Sequence, residues 1–422
     1  MLPPAAAAPL DDENLLSEIL LRHPPLPSSL PRASLVCKRW RSILSDTRFL
    51  RRFRLHHRRS PPLLGCFDKG LDAISFTPTM DSPDCVPTAR FSLQLDYSSD
   101  FLLLSCRHGL VLISFAMRRQ AVVWDPVTGD QHRLAVPPGF GHVASRIHGA
   151  VLRAAGEVHH FQVVLVEAAT DGAQHMRLLA CVYSSETGAW GNLISTSVRG
   201  AFIYTMFTRM PGLLIGNSLY WLFEANHLAV ILEFDLEKQS LVAMQAPTDI
   251  ENNLTVMRAD DGGLGLLSIS GFTAKLWKRK TDQNGVASWW VGRTIEVDKL
   301  LSPSSEKPRK RLSVIGFAEE NNTVFLPAVD GVLMVQLESL QFRKLNVSNN
   351  KLWLHPFKSV YTGCKGMSLQ YGYNETRYLD LYSGCRDAGI GFFNVSSSIL
   401  YASLFMRRST VYVACMVNLK LE

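Results

Sequence analysis

From Ser60 onward the chain carries no long stretch of helical period; it is built of short apolar segments separated by clusters of Gly, Asn, Asp and Pro. Such segments read as strands joined by turns. A small antiparallel unit cannot bury its apolar faces alone, so a chain made of them must stack its units and protect their edges. Several lines lie over one another. FLLLSCRHGLVLIS is followed by QAVVWDPVTGDQHRLAVPP, and FQVVLVE by MRLLACVYSSETGAWGNLI. GNSLYWLFEANHLAVILEFDLEKQSLVAMQAP repeats the plan, and the lines beginning GGLGLLSIS and SVIGFAEENN continue it. Trp124, Tyr183, Phe234, Trp277 and Val335 hold one place in these lines, with separations of 59, 51, 43 and 58 residues. Propeller blades recur every 40–50 residues or so before loop insertions. About 300 residues at ~45 per blade predict a large all-β domain over 65–362, a β-propeller of six to eight blades. A pair of β-sandwiches is the structural alternative. The tail 363–422 has strand-like runs without a blade pattern, and reads as a C-terminal extension or as ring-closing strands.

The first sixty residues have a different texture. Acids crowd DDEN at Asp11 to Asn14, where a helix dipole favours them. Leu15, Leu16, Ile19 and Leu20 then recur at helical spacing. HPPLP at His23 to Pro27 stops that helix. A second helix is predicted from Ser29–Arg32 through SLVCKRWRSIL, with Val36, Trp40, Ile43 and Leu44 on one side. A third starts after Ser45 or Asp46, both good caps. Three helices in about 45 residues make a marginal core, and this module has more apolar stripe than so small a core hides. The surplus marks an interface.

Charge is placed unevenly. The 422 residues hold 44 Lys+Arg and 37 Asp+Glu; residues 1–59 hold 11 and 5 of them, and residues 60–422 hold 33 and 32. Within Arg32 to Arg59, ten basic residues face one acid, Asp46. A basic segment fits nucleic acid, an import signal or an acidic protein partner. The turn between the candidate helices is rich in proline, and the second helix spends Val36 and Trp40 on packing, which argues against a DNA-reading helix pair. Hydrophobic residues are 47% and charged residues 19% of the chain, an ordered globular composition. Eight Cys without C-x-x-C spacing exclude a disulfide scaffold and a zinc ribbon, and point to a reducing compartment. MLPPAAAAPLDDE lacks a basic n-region and does not read as a signal peptide; residues 1–9 read as disordered. The uncharged run Ala388 to Met406 is long enough to span a bilayer, but its Asn394 and serines read as two strands around a turn. The sequons at Asn253, Asn321, Asn346, Asn374 and Asn394 read as chance matches.

The N-terminal segment LDDENLLSEILLRHPP…LPRASLVCKRWRSILSDTRFLRRF resembles the F-box, the motif that docks on a Skp-type adaptor of cullin–RING ubiquitin ligases. LVCKRWRSILSDTRFLRRF carries the likeness best, with its Val-Cys-basic-basic-Trp core; the usual opening Leu-Pro is Leu10-Asp11 here. The resemblance implies an F-box over 10–55, a linker over 56–64, and adaptor-facing positions at Leu10, Leu15, Leu16, Ile19, Leu20, Leu30, Val36, Cys37 and Trp40. The second region is similar to the F-box-associated propellers of plant F-box proteins, particularly a grass-type group. Here the likeness rests on WDPVTGD at Trp124 to Asp130, LYWLF with LEFDLEKQ, the KLWKR…WW segment, and VIGFAEENNTVFL…GVLMVQLES. The double-glycine kelch line and a regular Trp-Asp ending are missing.

No H-E-x-x-H, G-x-S-x-G, G-x-x-x-x-G-K-[ST] or G-x-G-x-x-G occurs. The adjacent histidines His56-His57 and His159-His160 lack partners at metal-ligand spacing. Asp125, Asp130 and Asp235 read as turn residues. Neither a metal nor a cofactor is expected. The resemblance therefore implies a non-catalytic adaptor of an SCF-type E3 ubiquitin ligase, cytoplasmic or nuclear. It would hold an unidentified substrate protein on its propeller and reach cullin and RING subunits through the adaptor, with no nucleic acid and no membrane involved. A free-standing propeller binding module, a carbohydrate-active propeller and a basic nucleic-acid-binding protein are the alternatives.

Overall fold

The computed structural model describes residues 12–362 apart from the stretches 71–72, 92, 95–100, 142–146, 154–159, 171–174, 200–204, 226–227, 248–253, 283–286, 298–311, 329–330, 346 and 348–352; beyond them it describes 394–395, 398–399, 403–407 and 410–414. The chain divides into two compact units, Met1–Lys365 and Gly366–Glu422. In the second, Asn394–Val395 pairs with Ser398–Ile399 and Ser403–Arg407 with Thr410–Ala414, both antiparallel. The strand-turn-strand reading of the uncharged run falls on the first of these pairs. Leu10, residues 1–9 and the sequons at Asn253, Asn346 and Asn374 lie outside the described residues. Among the described residues no helix is long and apolar enough to cross a membrane.

The first unit opens with four helices, α1 (Glu13–Leu21), α2 (Ser29–Ser34), α3 (Lys38–Ser45) and α4 (Thr47–His56). Asp12 caps α1 by accepting from the backbone N–H groups of Asn14 and Leu15, and Asp46 caps α4 by accepting from that of Arg48. The single second helix predicted from the sequence is two. Cys37 is extended (φ −161°, ψ 169°), and its Sγ accepts from the Trp40 N–H at 3.5 Å, so it acts as the N-cap of α3. Periodicity could not reveal this break, because the apolar residues keep helical spacing on both sides of it. Leu16, Leu20, Leu21, Leu30, Ala33, Ile43, Leu44, Phe49, Leu50 and Phe53 form the module's core.

Six antiparallel sheets follow, which settles the choice between propeller and sandwiches. Blades two to six occupy 101–135, 147–199, 205–245, 254–296 and 316–345 in chain order. Blade one is composite. Leu63–Lys69, Ala73–Pro78 and Leu93–Gln94 begin it, and His355–Lys358 returns from the far end of the propeller to pair antiparallel with Leu63–Lys69, Leu63 opposite Lys358. The ring is therefore closed by a strand that precedes Gly363. Around the axis the innermost strands of blades one and two, two and three, and six and one touch, His355–Lys358 serving as the innermost strand of blade one. The five anchors from Trp124 to Val335 all fall on the third strand of their blades, within Gln120–Trp124, His175–Ser184, Leu228–Asp235, Thr273–Thr281 and Gly331–Gln336.

Strict alternation builds the contacts between blades. In Leu110–Phe115, Val111 and Ile113 pack toward blade one with Phe67, Phe76 and Trp124, while Leu110 and Leu112 pack toward blade three with Val163 and Leu165. Separate clusters then join blades three and four, four to six, and six back to one. The helical module enters at Leu63 and the chain leaves at Lys358, so both events fall on one side of the ring. Turns between first and second strands, and between third and fourth, lie on that side. Blade-to-blade connections lie on the other.

The axis is tied by one ion pair. Arg107 ends the first strand of blade two, and its Nε and Nη2 donate to Glu319 of blade six at 2.7 and 2.5 Å. Nη2 also donates to the Gly212 carbonyl of blade four at 2.7 Å, and the Leu214 N–H donates to Glu319 at 3.1 Å. Gly212 has to be glycine, since a Cβ would sit 2.4 Å from the Trp221 indole nitrogen. His108 and Gly109, both at positive φ (54° and 75°), make the tight turn that follows Arg107. Burial opposes ionisation of Glu319, but the Arg107 guanidinium outweighs it and holds the carboxyl below its usual range. Nearby, burial holds His108 and His148 neutral with pKa values of about 4, and burial with His148 and Arg209 close by lowers His355 to about 3.

Two outcomes are expected. Each of these histidines titrates near 6.5 in the unfolded chain, which therefore binds more protons than the folded one between about pH 6.5 and pH 4. Stability is complete above pH 7 and falls as pH drops, by on the order of 2 kcal/mol per histidine at pH 5; urea unfolding at pH 7.5 and pH 5 measures it. Glu319→Gln leaves Arg107 buried without its counter-charge and costs about 3 kcal/mol or more at pH 7.5, with the same unfolding curve as readout.

Candidate functional site

The surface that departs most from an ordinary small domain lies where α2 gives way to α3. Leu35 and Val36 follow the last turn of α2, donate their N–H groups to Arg32 and Ala33 at 3.2 Å, and expose 72% and 62% of themselves. Cys37 is exposed beside them, and Trp40, one turn along α3, is half-buried against the module's core. The break therefore has two effects. It turns two aliphatic side chains outward, and it ties Trp40 to the same corner through the Cys37 Sγ. Arg41 Nε donates to the Ser34 carbonyl at 3.5 Å and links α3 back to α2. Exposed Lys38 and Arg41 rim the corner with positive charge. On α1, Leu15 is 42% exposed and Ile19, one turn later, is half-buried.

Of the nine positions marked from the sequence, Leu10 lies outside the described residues and the other eight separate by environment. Leu15, Val36 and Cys37 are exposed; Ile19 and Trp40 are half-buried; Leu16, Leu20 and Leu30 are closed within the core. These last three act on any docking surface only from beneath, by holding α1 and α2. Leu35 was not among the nine. It lies off the apolar side read for the second helix, and it is exposed where α2 ends before the break at Cys37.

The module is fastened to the propeller. Val360, two residues past the ring-closing strand, is buried as a member of the helical core. The Ser28 N–H donates to Asp84 of blade one at 3.0 Å, and Arg58 Nη2 donates to the Arg153 carbonyl of blade three at 3.3 Å. Within the module, Arg52 of α4 pairs with Glu18 of α1, and His57 Nε2 bonds the Leu21 carbonyl at 2.8 Å. Burial lowers the His57 pKa.

On the propeller the aspartates marked as turn residues are that. Asp125 Oδ1 accepts from the N–H groups of Val127 and Thr128 at 3.0 and 3.2 Å, and Asp235 Oδ1 from those of Glu237 and Lys238 at 3.0 and 2.8 Å. Asp130 Oδ2 accepts the Thr128 hydroxyl at 2.8 Å. The outer strand of blade five, Ala287–Glu296, exposes Trp290 and Val291. Among the described residues no three His, Cys, Asp or Glu side chains converge as a metal-ligand set.

Comparison with known proteins agrees with both regions. The F-box domain family matches residues 12–52, and the family described as F-box protein AT5G49610-like, beta-propeller matches residues 102–362. The F-box protein At1g49990 of Arabidopsis thaliana is 25% identical over 256 residues, which is 48% of this chain and 58% of that protein; the match spans little more than half of the relative's length. Among solved structures, a chain of a nidogen/laminin complex aligns with a TM-score of 0.39 at 8% identity over 69% of this chain and 95% of that one. A functionally unknown protein from Desulfotomaculum acetoxidans DSM 771 aligns with a TM-score of 0.36 at 12% identity over 70% of this chain and 99% of its own. At such scores neither likeness bears on function. A four-helix module with an outward apolar corner, seated on a six-bladed ring whose sequence matches the family over most of its length, identifies the chain as a plant-type F-box protein of the AT5G49610-like β-propeller family.

Proposed function

We propose that this chain is the substrate-recognition subunit of an SCF-type E3 ubiquitin ligase. The observation that carries the reading is the outward apolar corner Leu35-Val36-Cys37 with Trp40 beneath it, on a module whose other large apolar residues are mostly packed away. Exposed aliphatic residues of this size, set among charges, are the anatomy of a protein interface. The partner is a Skp-type adaptor, which brings cullin and RING subunits. Lys38 and Arg41 at the rim speed encounter with an acidic adaptor surface. The target protein is held by the propeller, on the face opposite the F-box where the blade-to-blade connections emerge. Catalysis is by proximity and lies in other subunits. The chain acts in the cytoplasm or the nucleus.

Adaptor capture by the full chain tests the corner. Val36→Asp and Leu35→Asp place a charge on an exposed site, keep the fold, and are expected to weaken binding by at least roughly tenfold. Trp40→Ala should do the same. Undiminished capture of all three by an adaptor, with unchanged circular dichroism, removes the corner from the interface. Leu16→Asp is no test of contact, because it buries a charge in the core and unfolds the module.

A second expectation comes from the shared core. Val360→Asp, far from the F-box in sequence, opens the helical core and reduces adaptor binding. Measured beside Val36→Asp, it should lower the thermal midpoint while Val36→Asp does not. A Val360→Asp chain with wild-type stability and adaptor affinity would show that the F-box stands alone.

A further inference from the structure

Between α4 and the F-box-side turns of blades two and three lies a cleft of about 650 Å³. One wall is α4 with Arg54 and the turn after it with Arg58; the facing wall carries Arg153, the turn containing Val127 and Asp130, and Phe161. Three guanidiniums therefore converge from two parts of the molecule. Arg153 is bound by Asp125 at 3.1 Å, and Lys358, also on the cleft, is bound by Glu320. Arg54 lies beside those two pairs, and Arg58 Nη2 donates to the Arg153 carbonyl at 3.3 Å. Arg54 Nε is buried and has no hydrogen-bond partner among the described residues. The three cations are close enough to act on one another: burial lowers the Arg153 pKa, Asp125 opposes it, and both Arg58 and Arg54 push it further down. His108 on the same cleft accepts from the Arg153 N–H through Nδ1 at 3.0 Å, so Nε2 carries its proton and is a further donor.

Guanidiniums held together around a cavity against their own repulsion fit an anion with oxygens on several sides. The cleft is far larger than an inorganic ion needs, and its volume falls in the range of small-molecule sites. Val127 and Phe161 offer apolar surface for a carbon skeleton, and Asp130 an acceptor for its hydroxyl or amino groups.

We propose that this junction is a binding site for a small organic phosphate, its phosphate between Arg54 and Arg58 of the F-box and Arg153 of the propeller, its organic part toward Val127, Phe161 and Asp130. The site goes beyond adaptor docking and does not depend on it. Because its walls belong to the two modules, the ligand bridges them and stabilises their mutual placement.

The test uses the purified full chain without adaptor. Calorimetric titration and thermal unfolding are run with AMP, glucose 6-phosphate and pyrophosphate, with adenosine and glucose as phosphate-free controls and inorganic phosphate as the simple ion. At least one phosphate ester is expected to bind and to raise Tm by about 2 °C or more at saturation. Arg54→Gln and Arg58→Gln, each folded by circular dichroism, should weaken that ester by roughly tenfold. Four results overturn the proposal: no shift with either ester, equal binding by both variants and the parent, binding of adenosine or glucose as tight as that of its ester, or binding of inorganic phosphate or pyrophosphate as tight as that of the esters.

Discussion

The pairing of His355–Lys358 with Leu63–Lys69 is the contact on which the rest of the first unit depends. Without it blade one has only its later strands, the ring has two open edges, and the clusters joining blade one to blades two and six lose a wall. The same pairing carries the chain two residues on to Val360, which completes the F-box core. One antiparallel pair thus closes the propeller and finishes the helical module. Propellers solve the edge problem by radial repetition, and here the closing strand also fixes where the module sits.

The Arg107–Glu319 pair plays a comparable part at the axis. Its ligands come from blades two, four and six, so it fixes alternate blades against each other at the centre of the ring. A buried ion pair is a poor source of stability in general, because desolvation offsets attraction. What it supplies is directional: four hydrogen bonds satisfy one geometry and no sliding of the blades preserves them. Apolar interfaces between sheets have no such preference, so the polar axis selects the arrangement that the apolar walls stabilise.

Much of this was legible in the sequence, and the limits follow from physics. Trp124, Tyr183, Phe234, Trp277 and Val335 marked the third strand of five blades because that strand must present a large residue to a neighbour at a fixed place. Blade one escaped because its strands are separated by most of the propeller, and periodicity reads only local order. In the F-box, the helical stripe picked out Leu16, Leu20 and Leu44, which are buried in the core, although the family resemblance marks the first two as adaptor-facing. It could not separate core from surface at Leu35 and Val36, since the deciding event is a backbone break at Cys37 that leaves spacing unchanged. The arginine cleft was invisible for another reason. Arg54, Arg58 and Arg153 gain meaning only from adjacency across the fold, and the run in which two of them lie looks like any basic helix end.

The buried position of Val360 also sets an order of events during synthesis. Helices α1 to α4 leave the ribosome first, yet their core lacks a member until about three hundred more residues have been made. At about 5–20 residues per second that interval lasts on the order of half a minute. Throughout it, the outer face of an F-box with an open core is poorly held. Completion of the ring supplies Val360 to the helical core, so the outward corner at Leu35 and Val36 is firmly held only in a chain whose propeller is already finished.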